Sequence, residues 1–443
     1  WRALPPGLRR AKLEERAGRP QLFSALLDDA DGGGDIAQDN CVGRGQGAEA
    51  EDGGATARAR AGSTASRDDL ALPSLFAPKP RERTADAESD SRRNGGREAR
   101  SEDSEREVGA NIADQAGAAV GHPKGESWEA GWEHCCGVFG GSDASGSATD
   151  STELLLLPRG SADGVAQPGS EPLRFLPGPH MAESRSGCSA APLGASCGLL
   201  VIGGSTGSRS LGTTEILDLR KMAFAPGPSL GAPRTGCAAA AGRGVVVVFG
   251  GRDRGTRLDT TEVLDLEQRT FGPGPRMSSR RSLCAAAALG DGGGRLLVLG
   301  GQDGSRALST TEVLELAGMQ FSAGPMMGCA RYSCAAVQLD SRRVLVVGGI
   351  GDGVARLTST EVLDVETMQF RPGPRLAKPR SGCGAFRLPS GRGALVVGGA
   401  EGETRHRTTE FLDFETMQFS PGPPLSGGPR GACAASSSCA WPG

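Results

Sequence analysis

The chain has 443 residues, 49 Lys+Arg against 52 Asp+Glu, and a formal charge of -3. That length suggests two or three domains, and the near-zero balance argues against a polyanion-binding protein, whose footprint is strongly basic. Gly (70) and Pro (28) make the chain turn-rich, while Tyr 1, Trp 4 and His 4 leave little for sites built on several such residues.

Residues 1–130 hold 19 basic and 24 acidic side chains and few aliphatics. Such a segment cannot bury enough apolar surface to offset the entropy of ordering, so a low-complexity, mostly disordered region is expected. Within it, Leu22, Phe23, Leu26 and Leu27 fall at helical spacing over Gln21–Ala30. A helix this short is marginal alone, and we read it as a transient turn in a tail rather than a partner-docking motif. The chain begins at Trp1 rather than Met and opens without an apolar signal segment, so a fragment or processed form is expected. No run approaches the ~18 apolar residues of a membrane helix. Cysteines number 12, and in a long chain without a secretory signal they point to reduced thiols and a cytoplasmic, intracellular protein.

From residue 131 onward the sequence repeats. Phe in the frame Phe-x-Pro-Gly-Pro recurs at Phe175, Phe224, Phe271, Phe321 (Ala323 for the first Pro), Phe370 and Phe419, at steps of 47 to 50 residues. Cysteine recurs in phase at Cys188, Cys237, Cys284, Cys334, Cys383 and Cys433. An Arg precedes each by three: Arg185, Arg234, Arg281, Arg331, Arg380 and Arg430. Gly-Gly ends an apolar run at Gly140, Gly203, Gly250, Gly300, Gly348 and Gly398, and a Thr-Glu step opens another at Glu153, Glu215, Glu262, Glu312, Glu361 and Glu410. A period near 50 is the signature of a repeat architecture.

Each period offers four short apolar runs separated by turn residues. In the copy starting at Arg234 these are 234–241, 244–251, 261–266 and the surroundings of Phe271. Their lengths, their Val, Leu and Ile, and the Gly, Asp and Pro between them predict strands. A lone four-stranded sheet cannot bury both of its faces, whereas six stacked radially can. These features, in this order, resemble the kelch repeat family over roughly residues 135–438. Three departures stand out: Phe replaces the family's Trp in the last strand, Leu217 and Leu264 stand where Tyr is usual, and the first copy has Leu156 for Asp plus an insert near 160–170. The first copy lacks an Arg-x-x-Cys strand and the chain ends with a spare one, 430–438. The expected fold is therefore all-β, a closed six-bladed propeller over residues 131–440, with the C-terminal strand innermost in the first blade and no free edge.

Antiparallel strands put the six arginines, the Gly-Gly pairs and the loops that follow on one face. Those loops carry Arg209, Arg252, Arg254, Arg257, Arg306, Arg356, Arg405 and Arg407, with Asp143, Asp253, Asp303, Asp352, Glu401 and Glu403 among them. In kelch-type adaptors, which the domain resembles, arginines at the Arg-x-Gly position grip acidic or phosphorylated peptides. The resemblance implies that Arg185, Arg234, Arg281, Arg331, Arg380 and Arg430 bind a peptide, a task that suits a bidentate guanidinium. The other reading is that these arginines pair with the Thr-Glu glutamates and staple blade to blade, and both stay open here.

The six cysteines sit in Ala- and Gly-rich strands and are expected to pack as small hydrophobes rather than form a metal or redox site. His134, Cys135 and Cys136, with His122, are zinc-type ligands at the wrong spacing, so no metal and no cofactor is expected. Tyr332 alone cannot furnish the ligand set of kelch-related copper oxidases. No P-loop, nucleophile elbow or symmetry-breaking acid–base pair stands out, so no enzyme is expected. The reading is a monomeric protein–protein interaction module that recognises an acidic peptide, without nucleic-acid or membrane partners. The alternatives are a substrate-recognition subunit of a ubiquitin ligase, although residues 1–130 resemble neither BTB nor F-box domains, and a small-molecule enzyme of the kelch-type sugar-epimerase kind.

Overall fold

The computed structural model describes residues 132–158, 173–194, 198–352 and 355–437. The expectations of disorder over 1–130, of a helix over 21–30 and of an insert near 160–170 lie outside the described residues. What is described is all-β: six antiparallel sheets of four strands each, with a short extra strand, Thr404–Arg405, on the last, and a separate two-stranded hairpin of Arg252–Asp253 and Thr256–Arg257. Blades 2 to 6 span residues 189–226, 238–273, 285–323, 335–372 and 381–421.

Blade 1 is built from both parts of the repeat region. Trp132–Phe139, Thr152–Pro158 and Phe175–Pro177 form its outer strands, and Ala434–Ser437 forms its innermost. Val138 lies opposite Ala435 and Cys136 opposite Ser437 in antiparallel register. The inner strands of neighbouring blades touch in an unbroken circle, the last closing on the first through Ala434–Ser437. The six-bladed propeller closed by the C-terminal strand, read from the complementary ends of the repeat, is the fold observed.

The second strand of each blade is buried on both faces, because each sheet is packed between two others. Side chains alternate across a strand, so successive residues enter different cores. In Val245–Phe249, Val246 and Val248 pack toward blade 2, while Val247 and Phe249 pack toward blade 4. Six apolar clusters result, one between each pair of adjacent blades.

Two latches explain motifs that repeat in the sequence. The second Gly of each pair donates its N–H to the carbonyl of the arginine that leads the next blade, as from Gly251 to Arg281 at 2.8 Å. Gly250 has φ +57°, and a Cβ there would stand 2.2 Å from the Arg281 carbonyl oxygen, so only glycine fits. The second latch joins the Thr of the third strand to the second Pro of Pro-Gly-Pro. Thr261 Oγ1 donates to the Pro275 carbonyl at 2.7 Å, and blades 2, 4, 5 and 6 repeat the bond. In blade 1, Thr152 keeps its main-chain bond from Gly178, but its hydroxyl has no partner.

Closure by Ala434–Ser437 is expected to govern the stability of the whole ring. A chain ending at residue 433 leaves the Trp132–Phe139 edge and its two adjacent cores open. Urea unfolding followed by circular dichroism should show a lower midpoint and a broadened transition; an unchanged curve would mean that the ring does not depend on this strand.

Candidate functional site

The site is built on the face where the lead-in arginines and Gly-Gly pairs meet. The six arginines lie beneath that face, at 0–3% exposure. In blade 2, Arg185 Nε donates to Glu215 Oε1 at 3.0 Å, Nη1 donates to the Gly203 and Thr213 carbonyls, and Nη2 donates to Glu183 and to the Thr213 hydroxyl. The same Nε–carboxylate contact joins Arg234 to Glu262, Arg281 to Glu312, Arg380 to Glu410 and Arg430 to Glu153, at 2.8 to 3.1 Å. Each glutamate's other oxygen accepts a main-chain N–H from the segment entering its blade, as from Ser278 to Glu312 at 2.7 Å.

Blade 5 departs from this pattern. Arg331 meets Glu361 through Nη2 at 2.8 Å, and its Nε has no partner. Ser359 stands where most blades have Thr, and its hydroxyl is also unpartnered.

Arg185, Arg234, Arg281, Arg331, Arg380 and Arg430 are thus committed inside their own blades. The pairing differs from the blade-to-blade staple considered from sequence. The side chain binds within the blade, and only the arginine's main-chain carbonyl reaches the preceding one. A ligand could meet these guanidinium groups only by breaking a buried ion pair, which leaves a charge unpaired in a medium that penalises it.

Beside each arginine, the chain turns inward. Gly187, Gly236, Leu283, Ser333, Gly382 and Ala432 all have φ between +49° and +62°. Five main-chain bonds run around the axis between them, from Gly236 N to the Gly187 carbonyl at 2.8 Å and onward through Leu283 and Ser333 to Gly382, with Gly187 N bonding to the Ala432 carbonyl at 2.9 Å. The axial opening on this face is therefore framed by backbone, and the charged side chains stand on the loops around it.

Those loops divide their charges unevenly. Asp143 accepts N–H bonds from Ser145 and Ser147, and Asp303 accepts them from Ser305 and Arg306, so both carboxylates brace their own turns. The Ser305 N–H, foremost, holds Asp303 down to about 2. Arg209 pairs with Glu183 and Arg306 with Asp303. Arg252, Arg254, Arg257 and Arg356 form no ion pair among the described residues. Arg405 bonds to the Ser142 hydroxyl and the Glu403 carbonyl, while Arg407 donates to the Leu425 carbonyl. Between the loops of blades 1 and 2 lies an open cleft of about 480 Å³, whose lining includes Ser147, Ala148, Glu183, Ser184, Thr206 and Arg209.

The cysteines are placed as packing residues. Cys188, Cys237, Cys284, Cys334, Cys383 and Cys433 each enter a different inter-blade cluster. Cys135 and Cys136, adjacent on a strand, point into opposite clusters, so they cannot face a common ion. His122 lies outside the described residues. Among the described residues, no group of three or more His, Cys, Asp or Glu is arranged to hold a metal, and no helix is long and apolar enough to cross a membrane.

Residues 233–278 match the Kelch motif, a stretch that runs from just before Arg234 to just beyond the fourth strand of blade 3. The comparison with curated proteins finds no match.

The ion-pair staple sets a clear expectation for stability. Arg281→Ala leaves Glu312 buried without its cation and should cost about 3–5 kcal/mol. Chemical denaturation measures this, and a loss under about 1 kcal/mol would mean that the pair is dispensable.

Burial pushes the thiols of Cys135, Cys237, Cys334 and Cys383 up to about 12 from an ordinary 9.0. The folded thiols stay protonated where the unfolded ones ionise. Their contribution to stability is full below pH 9.0 and is lost as pH rises toward about 12. The urea midpoint should fall through that window, and native iodoacetamide labelling at pH 8.0 should reach Cys329 before any of the buried thiols.

Proposed function

We propose that the chain, a six-bladed propeller in which residues 233–278 match the Kelch motif, is a protein-interaction module whose loop face captures an acidic peptide segment. The observation that carries this reading is the group of arginines on that face, Arg252, Arg254, Arg257 and Arg356, that lack a carboxylate partner. An acidic segment supplies the missing charge, and a guanidinium receives a carboxylate through two parallel N–H bonds. The scaffold beneath carries the arginine–glutamate pair and the glycine latch in every blade, so the loops are presented preformed. Binding then costs little ordering entropy, and loops on a rigid frame are the usual place for recognition. The cleft beside Ser184 and Thr206 offers hydroxyls suited to a peptide's main chain.

In this reading the six buried arginines position the binding loops, and the exposed Arg254 with the half-buried Arg252, Arg257 and Arg356 makes the contact. No residue of the face favours a ligase subunit or a sugar epimerase over this reading.

A library of acidic peptides, with Asn/Gln counterparts as controls, tests the proposal by fluorescence polarisation. The unaltered chain should bind acidic members selectively and lose affinity as salt rises. Arg254→Glu, at an exposed position, should weaken binding several-fold while leaving the melting temperature nearly unchanged, and adding Arg252→Glu and Arg356→Glu should bring the loss to at least tenfold. Equal binding by both chains, or no preference for acidic peptides, would overturn it.

A further inference from the structure

The repeat makes any departure from six-fold likeness informative, and one lies on this face between blades 3 and 4. The residue after each lead-in arginine bridges to the residue after Gly-Gly. Where that residue is serine, its hydroxyl points back to the carbonyl across the bridge: Ser186 to Ser205, Ser282 to Gln302 and Ser381 to Ala400, at 3.1 to 3.5 Å. In blade 3 the residue is Thr235. It is 4% exposed and its hydroxyl has no partner. An unpartnered buried hydroxyl carries a desolvation cost, so it calls for an occupant.

What surrounds Thr235 is cationic. Its bridge partner is Arg252, which pairs across a two-residue hairpin strand with Arg257. Arg257 leans toward blade 4, where its Nη2 donates to Gln302 Oε1 at 2.8 Å. Glycine at 304 makes room for it, since a Cβ there would stand 3.2 Å from Arg257 Cδ. The Nε of Arg257 is buried and has no partner. Of the nearby acids, Asp259 pairs with Arg276 at 2.8 Å and Asp303 with Arg306 at 3.6 Å, while Asp253, next to Arg252 on its strand, forms no ion pair with either arginine. Burial first, and the Arg257 charge second, lower the pKa of Arg252. Two guanidinium groups thus share a confined space without an ion pair to either.

The cavity enclosed by Thr235, Gly236, Arg252, Arg257, Ser282, Leu283 and Gln302 is about 10 Å³. That is room for one oxygen-sized atom. A whole phosphate or sulfate does not fit, but one oxygen of a carboxylate does, with its second oxygen at the mouth. We propose that this notch is a carboxylate-binding subsite, in which one oxygen of an Asp or Glu side chain from a bound peptide accepts from Thr235 Oγ1 and Arg257 Nε while Arg252 balances its charge. The inference deepens the peptide-capture reading of the face and rests on it for the source of the carboxylate.

The test is a titration of the full chain with sodium acetate against sodium chloride at constant ionic strength, followed at the ¹⁵N-labelled arginine Nε–H resonances. Arg257→Lys assigns the Arg257 signal by its disappearance. The expected result is a saturable shift of that signal with acetate and none with chloride or inorganic phosphate. Thr235→Val, which keeps the shape and removes the hydroxyl, should weaken acetate binding at least fivefold. It should hold or slightly raise the melting temperature, because the unpartnered hydroxyl is gone. Arg252→Met provides a second variant with the same expected loss.

No saturable shift would mean that the notch holds only water, and an equal response to chloride would mean an adventitious ion only. An unchanged acetate response in both variants would place binding elsewhere, and each of these three outcomes overturns the proposal. Acidic-peptide binding that is indifferent to Thr235→Val would overturn the subsite and leave the capture face standing. Acetate binding by a chain that captures no acidic peptide would do the reverse.

Discussion

The buried arginine–glutamate pair is the interaction on which the rest of the propeller depends. A charge inside protein is tolerated only when it is paired and its remaining donors are bonded. Arg185 meets that condition with every nitrogen: Nε on Glu215, Nη1 on two carbonyls, Nη2 on Glu183 and Thr213. In doing so it ties the segment entering the blade to the Gly-Gly turn and to the third strand. The arginine's carbonyl then receives the N–H of the preceding blade's second glycine. One residue thereby fixes strand order within a blade and contact between blades, and it recurs six times.

Much of this was legible in the sequence because repetition amplifies weak signals. One Gly-Gly or one Thr-Glu says little, but six in phase with Arg-x-x-Cys define a unit, its strand count and the closure of the ring. The role of the arginines was not legible. Residue type alone allows a guanidinium to grip a ligand or a neighbouring glutamate, and burial decides between them. That burial arises only when the entering segment folds over the blade, as Ser278 does on Glu312. The Thr-to-Pro latch did have a sequence signal that went unused, a constant offset of 14 residues between Thr261 and Pro275 and in four other blades. The unsatisfied hydroxyl of Thr235 had none, since Thr and Ser look interchangeable at that position until their bonds are seen.

Likeness and difference divide the labour of the molecule. The residues repeated in every blade (the lead-in arginine, the paired glycines, the glutamate and the small cysteine) are spent on packing and internal bonds. The residues that follow the glycine pairs, such as Arg252, Gln302, Ile350 and Ala400, differ from blade to blade while their main chains make the same bridge to the residue after the lead-in arginine. The support is symmetric and the residues at that bridge are not, so one scaffold carries six chemically different rims.

The clasp between Trp132–Phe139 and Ala434–Ser437 also has a consequence for how the molecule is made. On a ribosome, blade 1 emerges first yet stays one strand short until about 300 further residues have been synthesised. At roughly 5–20 residues per second, that is on the order of tens of seconds. For that interval the hydrogen-bonding edge of Trp132–Phe139 stands open, a template for any passing strand. The thiol of Cys136, which in the finished ring packs against blade 6, lacks that cover during the same period. Biogenesis, more than the mature state, is then the stage at which this fold is vulnerable to oxidation and to mispairing, and at which a chaperone's protection would count.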